Sequence, residues 1–106
     1  PPTPPPPPPA QAPQTQKFTL EADDYGFYPS GTISVAKGAN VEITFVVRTT
    51  NVYYGGLDFR SSKFNTPSVK PGDMTTVSFV ADQSFEFKSY WPVSSVLKAS
   101  GQVEVK

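Results

Sequence analysis

The nearest approaches to a reactive constellation in this sequence are two adjacent carboxylates, Asp23-Asp24, and two adjacent hydroxyls, Ser94-Ser95. Paired carboxylates could share a proton in acid–base work or form half of a calcium site. A serine nucleophile needs a base to take its proton. Neither chemistry is completed. The chain has no histidine and no cysteine, which removes the usual general base, the commonest metal ligand and any thiolate. No alternating Asp/Asn loop with a bidentate Glu surrounds Asp23-Asp24, and no Ser-x-x-Lys opens a helical pattern. The two carboxylates read instead as a strand end entering the turn toward Tyr25-Gly26. The expectation is no enzyme and no cofactor.

What remains is contact chemistry. Tyr53-Tyr54 and Tyr90-Trp91-Pro92-Val93 gather large, partly polar side chains into two short segments. Tyrosine and tryptophan join a wide apolar body to a polar tip, so they recur at protein interfaces and at sugar-stacking sites.

The elements that must position them are strands. Phe18, Leu20 and Ala22 alternate with polar residues, as do Ile33 and Val35, then Val41, Ile43, Phe45 and Val47. The same period of two returns at Leu57 and Phe59, at Val77, Phe79 and Ala81, at Phe85 and Phe87, and at Val103 and Val105. Lys37-Gly38-Ala39 reads as a hairpin turn between the second and third of these runs, with glycine supplying positive φ. Pro71-Gly72-Asp73 and residues 81–84 are further turn signals. No stretch has a helical stripe, so the class is all-β, a two-sheet Greek-key sandwich of seven to eight strands. Asp58 and Lys88 fall on the polar phase of their strands and are expected in solvent, and Met74 is expected at the surface or the core edge.

Residues 1–16 differ from all this. Nine of the first thirteen residues are proline and no charged residue precedes Lys17. Such a tract favours the polyproline II conformation and reads as a semi-rigid linker or stalk, with the folded domain spanning residues 17–106. Nine basic and nine acidic residues cancel over the 106 residues, and no run of one sign marks a nucleic-acid footprint. Nucleic acid is not an expected partner.

Tyr28-Pro29-Ser30-Gly31-Thr32, followed by Ile33-Ser34-Val35 and the Lys37-Gly38 turn, resembles the opening of the cupredoxins, the blue-copper family. The likeness continues through Val69-Lys70-Pro71-Gly72, residues 77–82, Phe85-Glu86-Phe87 and Gly101-Gln102-Val103-Glu104-Val105, and so covers residues 18–106. An immunoglobulin-like sandwich is the rival for the strand count, but it leaves the long loop expected between Phe87 and Gly101 unexplained. In the cupredoxin family a copper ion is held by a histidine before the fourth strand, then by a cysteine, a second histidine and a methionine near the last loop. The resemblance carries these positions onto Gly55, Ser89, Ser94 and Ala99, none of which supplies a copper ligand. It also brings the two aromatic segments together at the copper end, so that Tyr53, Tyr54, Tyr90 and Trp91, with Val93, would surround a vacated pocket or fold inward to fill it.

These readings lead to a metal-free, non-enzymatic binding or assembly module, contacting another protein or copies of itself outside the cytoplasm, in the cell envelope or extracellular space. The linker leaves room for a membrane tether upstream of Pro1. The alternative is a carbohydrate or small-ligand module using the aromatic rim. A third reading, a copper electron-transfer protein, requires that its ligands were replaced by engineering.

Overall fold

The computed structural model describes residues 15–106, and the expected proline-rich stalk lies almost wholly outside them. Nine strands form, with no helix among the described residues. One sheet runs β2-β1-β4-β7, built from β1 (Thr15–Asp23), β2 (Gly26–Tyr28), β4 (Asn40–Val47) and β7 (Met74–Val80). The other runs β3-β9-β8-β5-β6, from β3 (Thr32–Val35), β5 (Leu57–Ser61), β6 (Asn65–Val69), β8 (Phe85–Tyr90) and β9 (Leu97–Val105).

The period-two pattern has its physical counterpart in the core. Val41, Ile43, Phe45 and Val47 of β4 are all fully buried, while the residues between them are half-buried. Phe45 stacks on Phe59 at 4.3 Å between centroids, nearly parallel, which joins the two sheets. Phe27 meets Phe87 edge-on at 4.9 Å, and Phe79 meets Phe85 in the same way at 4.9 Å. Each large buried ring or aliphatic side chain contributes about 1.5–3 kcal/mol, so this aromatic seam and the aliphatic residues packed around it together stabilise the sandwich. A Cβ at Gly101 would collide with the Phe87 ring and with the Gly31 carbonyl, so glycine there lets β9 pass close beneath the seam.

Three expectations are corrected. The Lys37-Gly38 joint is not a hairpin. β3 pairs parallel with β9 in one sheet and β4 pairs parallel with β1 in the other. The joint is a crossing between sheets, held by the bonds Lys37 N–H donates to the Lys106 carbonyl and Gly38 N–H to the Ala81 carbonyl. Asp58 is buried rather than solvated. Its carboxylate accepts from Ser68 N–H and from the Arg60 guanidinium at 2.8 Å, so polar groups of β5 and β6 compensate its burial. The expected long loop from Phe87 to Gly101 shrinks to residues 91–96, because β8 and β9 pair from Phe85↔Val103 out to Tyr90↔Leu97.

Two strands also went unforeseen, which raises seven or eight to nine. β2 has only three residues, and the polar β6 carries Pro67, so neither displays a readable alternation. β1 begins at Thr15 rather than Lys17, where Gln16 accepts a bond from Ala36 N–H. Met74 is exposed on edge strand β7.

Candidate functional site

Two connections meet at one end of the sandwich. Residues 48–56 link β4 to β5, and residues 91–96 link β8 to β9; because Asp58 pairs with Tyr90 across β5 and β8, both connections rise from neighbouring strand ends. The first is shaped at Gly56, whose φ is +133° and where a Cβ would strike the Val69 carbonyl, so only glycine lets this loop lie close over β6. The second closes on itself: Trp91 N–H donates to the Val96 carbonyl at 3.0 Å and Ser95 N–H to the Trp91 carbonyl at 2.9 Å.

Tyr54 and Trp91 meet between them, with ring centroids 4.2 Å apart and planes tilted by 52°. Trp91 is half-buried and packs on the edge of the core, and the Lys98 ammonium sits 4.0 Å from its ring centroid. Tyr54 is 63% exposed and Val93 98% exposed. Together with Ser94 and Val96 these residues line an open, mostly apolar depression of about 440 Å³. The indole Nε1 is buried with no hydrogen-bond partner among the described residues.

The four aromatic residues do not converge as expected. Tyr53 turns away: its N–H donates to Asp24 Oδ2 at 3.1 Å, its hydroxyl to Asn51 Oδ1 at 3.1 Å, and its ring meets Tyr25 edge-on at 6.5 Å. Tyr90 lies instead under the Arg60 guanidinium, 4.7 Å from the ring centroid. Tyr90 is the last residue of β8, whereas Trp91 opens the connection to β9 and Tyr53 and Tyr54 both lie in the connection from β4 to β5. Val96 was missed in the sequence because an isolated valine after Ser94-Ser95 carries no signal of its own.

Asp23 and Asp24 are both buried and both act in turns. Asp23 Oδ1 accepts from Tyr25 N–H at 2.8 Å, Gly26 N–H at 3.0 Å and the Tyr28 hydroxyl at 3.1 Å. Burial, that hydrogen bond and the charge of Asp23 hold the Tyr28 phenol above its ordinary value of 10.0. Arg48 lies 3.7 Å from Asp23 Oδ2 and 3.8 Å from the Tyr28 ring centroid.

The positions that the resemblance assigns to copper ligands do not form a donor set. Ser89 is fully buried on the inner side of β8, opposite Ala99 on β9 and Phe59 on β5, and its hydroxyl has no partner among the described residues. Gly55 and Ser94 are exposed. Two hydroxyls, a methyl and a glycine do not fit copper, which in such sites takes thiolate, imidazole and thioether. Among the described residues no three His, Cys, Asp or Glu side chains gather into a metal-binding group.

No family model matches the sequence, and no curated protein matches it. Solved structures do. The metal-binding domain of a Cu(I)-exporting P-type ATPase from Streptococcus pneumoniae superposes with a TM-score of 0.66 at 20% identity, covering 92% of this chain and 91% of that one. The copper nitrite reductase of Nitrosomonas europaea gives 0.60 at 20% identity, covering 88% of this chain and 42% of the enzyme. A blue copper oxidase from the same organism gives 0.66 at 14% identity, covering 88% and 39%. The chain thus spans about two fifths of each of the two oxidoreductases. Identities this low carry the fold alone.

Proposed function

We propose that this chain, a cupredoxin-like β-sandwich with no metal-binding group among its described residues, is a non-enzymatic module for protein recognition or assembly, working outside the cytoplasm. The observation that carries this reading is the depression between residues 48–56 and 91–96. Tyr54 and Val93 stay exposed although burying them would be favourable, and Trp91 gives the patch a fixed floor. An open apolar patch with rigid aromatic anchors is the usual core of a protein contact. The buried carboxylates support a non-enzymatic role, because Asp23, Asp24 and Asp58 all spend acceptor atoms on backbone N–H groups. Prolines crowding the first thirteen residues support a domain held away from a surface.

The test is to probe a displayed peptide library and a glycan array in parallel with the full chain. The expected result is a set of bound peptides whose affinity falls at least about tenfold with Val93→Glu and stays unchanged with Met74→Glu, another exposed apolar residue, on β7. Binding to glycans alone would establish the carbohydrate reading in its place. Peptides indifferent to Val93→Glu would remove the depression as the recognition surface.

A further inference from the structure

The occupant of this depression can be argued from the rest of the chain. Its lining residues Tyr54, Trp91, Val93, Ser94 and Val96 carry no charge, and the two cations beside it are already engaged, Lys98 over the Trp91 ring and Arg60 with Asp58 and the Ser95 hydroxyl. A ligand bearing several charges would lose hydration there without finding partners. The chain contains one uncharged segment with the opposite half of the chemistry: residues 1–13, nine of them proline and none charged. Polyproline II helices dock into aromatic-lined grooves because the ligand is already extended and loses little entropy on binding.

Geometry decides between the same chain and another. Thr15 pairs with Asn40 and Ala22 with Val47, so β1 starts at the end of the sandwich opposite the depression, which lies beyond Val47 and Tyr90. From Thr15 to Asp23 the strand rises about 26 Å at ~3.3 Å per residue. The tract is therefore attached at the far end of the sandwich from the depression, and its composition favours a stiff polyproline II segment that resists the reversal needed to come back along its own domain. Resting on the recognition role proposed above, we propose that the depression of one molecule receives the proline-rich tract of a second copy, making a head-to-tail contact. Such a contact uses two different surfaces and leaves one of each free at the ends, so it propagates into open chains.

The experiment uses the full chain and two variants followed by sedimentation velocity over a wide range of concentration. One is the groove variant Val93→Glu, a site too exposed to disturb folding; the other is the tract variant combining Pro4→Ser, Pro6→Ser and Pro8→Ser. The parent chain is expected to form species that grow with concentration, and each variant alone is expected to associate at least about tenfold more weakly. Mixing the two variants should restore a contact between the intact tract of one and the intact groove of the other, and assembly should stop at a one-to-one pair. Association that survives the tract variant but not Val93→Glu overturns the inference while leaving the groove as a protein-binding surface. Association indifferent to both variants overturns the inference and places the contact elsewhere. A parent chain that stays monomeric overturns it as well, and Trp91 emission that then changes in the tract variant would mean docking within one chain.

Discussion

Replacing Trp91, the sole tryptophan, separates its packing from its buried N–H, which has no partner among the described residues. Truncation of a fully buried tryptophan to alanine costs about 3–5 kcal/mol. Trp91 is only half-buried against the core edge, with Tyr54 on one side and Lys98 on another. Removing its buried N–H also relieves a desolvation cost of about 1 kcal/mol. The loss expected for Trp91→Ala is then about 1–2 kcal/mol. Trp91→Phe keeps most of the ring contact and removes the same donor, so it should lie within about 0.5 kcal/mol of the parent. Urea unfolding followed by far-ultraviolet circular dichroism reads both. At a slope of about 1 kcal/mol per molar urea, the alanine variant's midpoint falls by about 1–2 M and the phenylalanine variant's by less than about 0.5 M. If phenylalanine costs as much as alanine, the N–H is satisfied and the accounting is wrong. If alanine costs more than about 3 kcal/mol, the ring is a core plug rather than the floor of an open surface.

Phe87→Ala should cost about 3–5 kcal/mol in the same assay, because Phe87 is fully buried and touches the Phe27 and Phe45 rings; less than about 1 kcal/mol would deny the aromatic seam its role. Asp58→Ala should cost about 1–3 kcal/mol, since it leaves Ser68 N–H without its acceptor while the partly exposed Arg60 can turn to water, whereas Asp58→Asn should retain part of that; equal losses would mean that the carboxylate's acceptor role contributes nothing. Because the Tyr28 phenol titrates above its ordinary value of 10.0, its contribution is complete below that pH and disappears as pH rises through the raised value. Ultraviolet titration of Asp23→Asn should bring one tyrosine back toward the ordinary range, and an unchanged curve would refute the link. Incubating the full chain with Cu(II) should give no intense thiolate-to-copper absorption, and a strong blue band would overturn the assignment of Gly55, Ser89, Ser94 and Ala99 as non-ligands.

Much of the sandwich was legible from period-two alternation. Val41, Ile43, Phe45 and Val47, then Phe79, Phe87 and Val103, sit inside as the pattern requires, because side-chain polarity records which face of a strand is dry. Composition alone also determined that no imidazole or thiolate is available to bind copper. Which strands become neighbours was decided only in three dimensions. Strands pair through backbone N–H and C=O groups that nearly every residue shares, so β3 could join β9 and β4 could join β1 while the sequence between them still read as a hairpin. Burial of Asp58 likewise depended on Ser68 and Arg60 arriving beside it, from β6 and from two residues along β5. The recognition surface divides in the same way. That Tyr53, Tyr54, Tyr90 and Trp91 could form contacts was evident from residue type, but that Tyr54 reaches Trp91 while Tyr53 and Tyr90 turn to Tyr25 and Arg60 was set by the paths of the two connections that meet at one end of the sandwich.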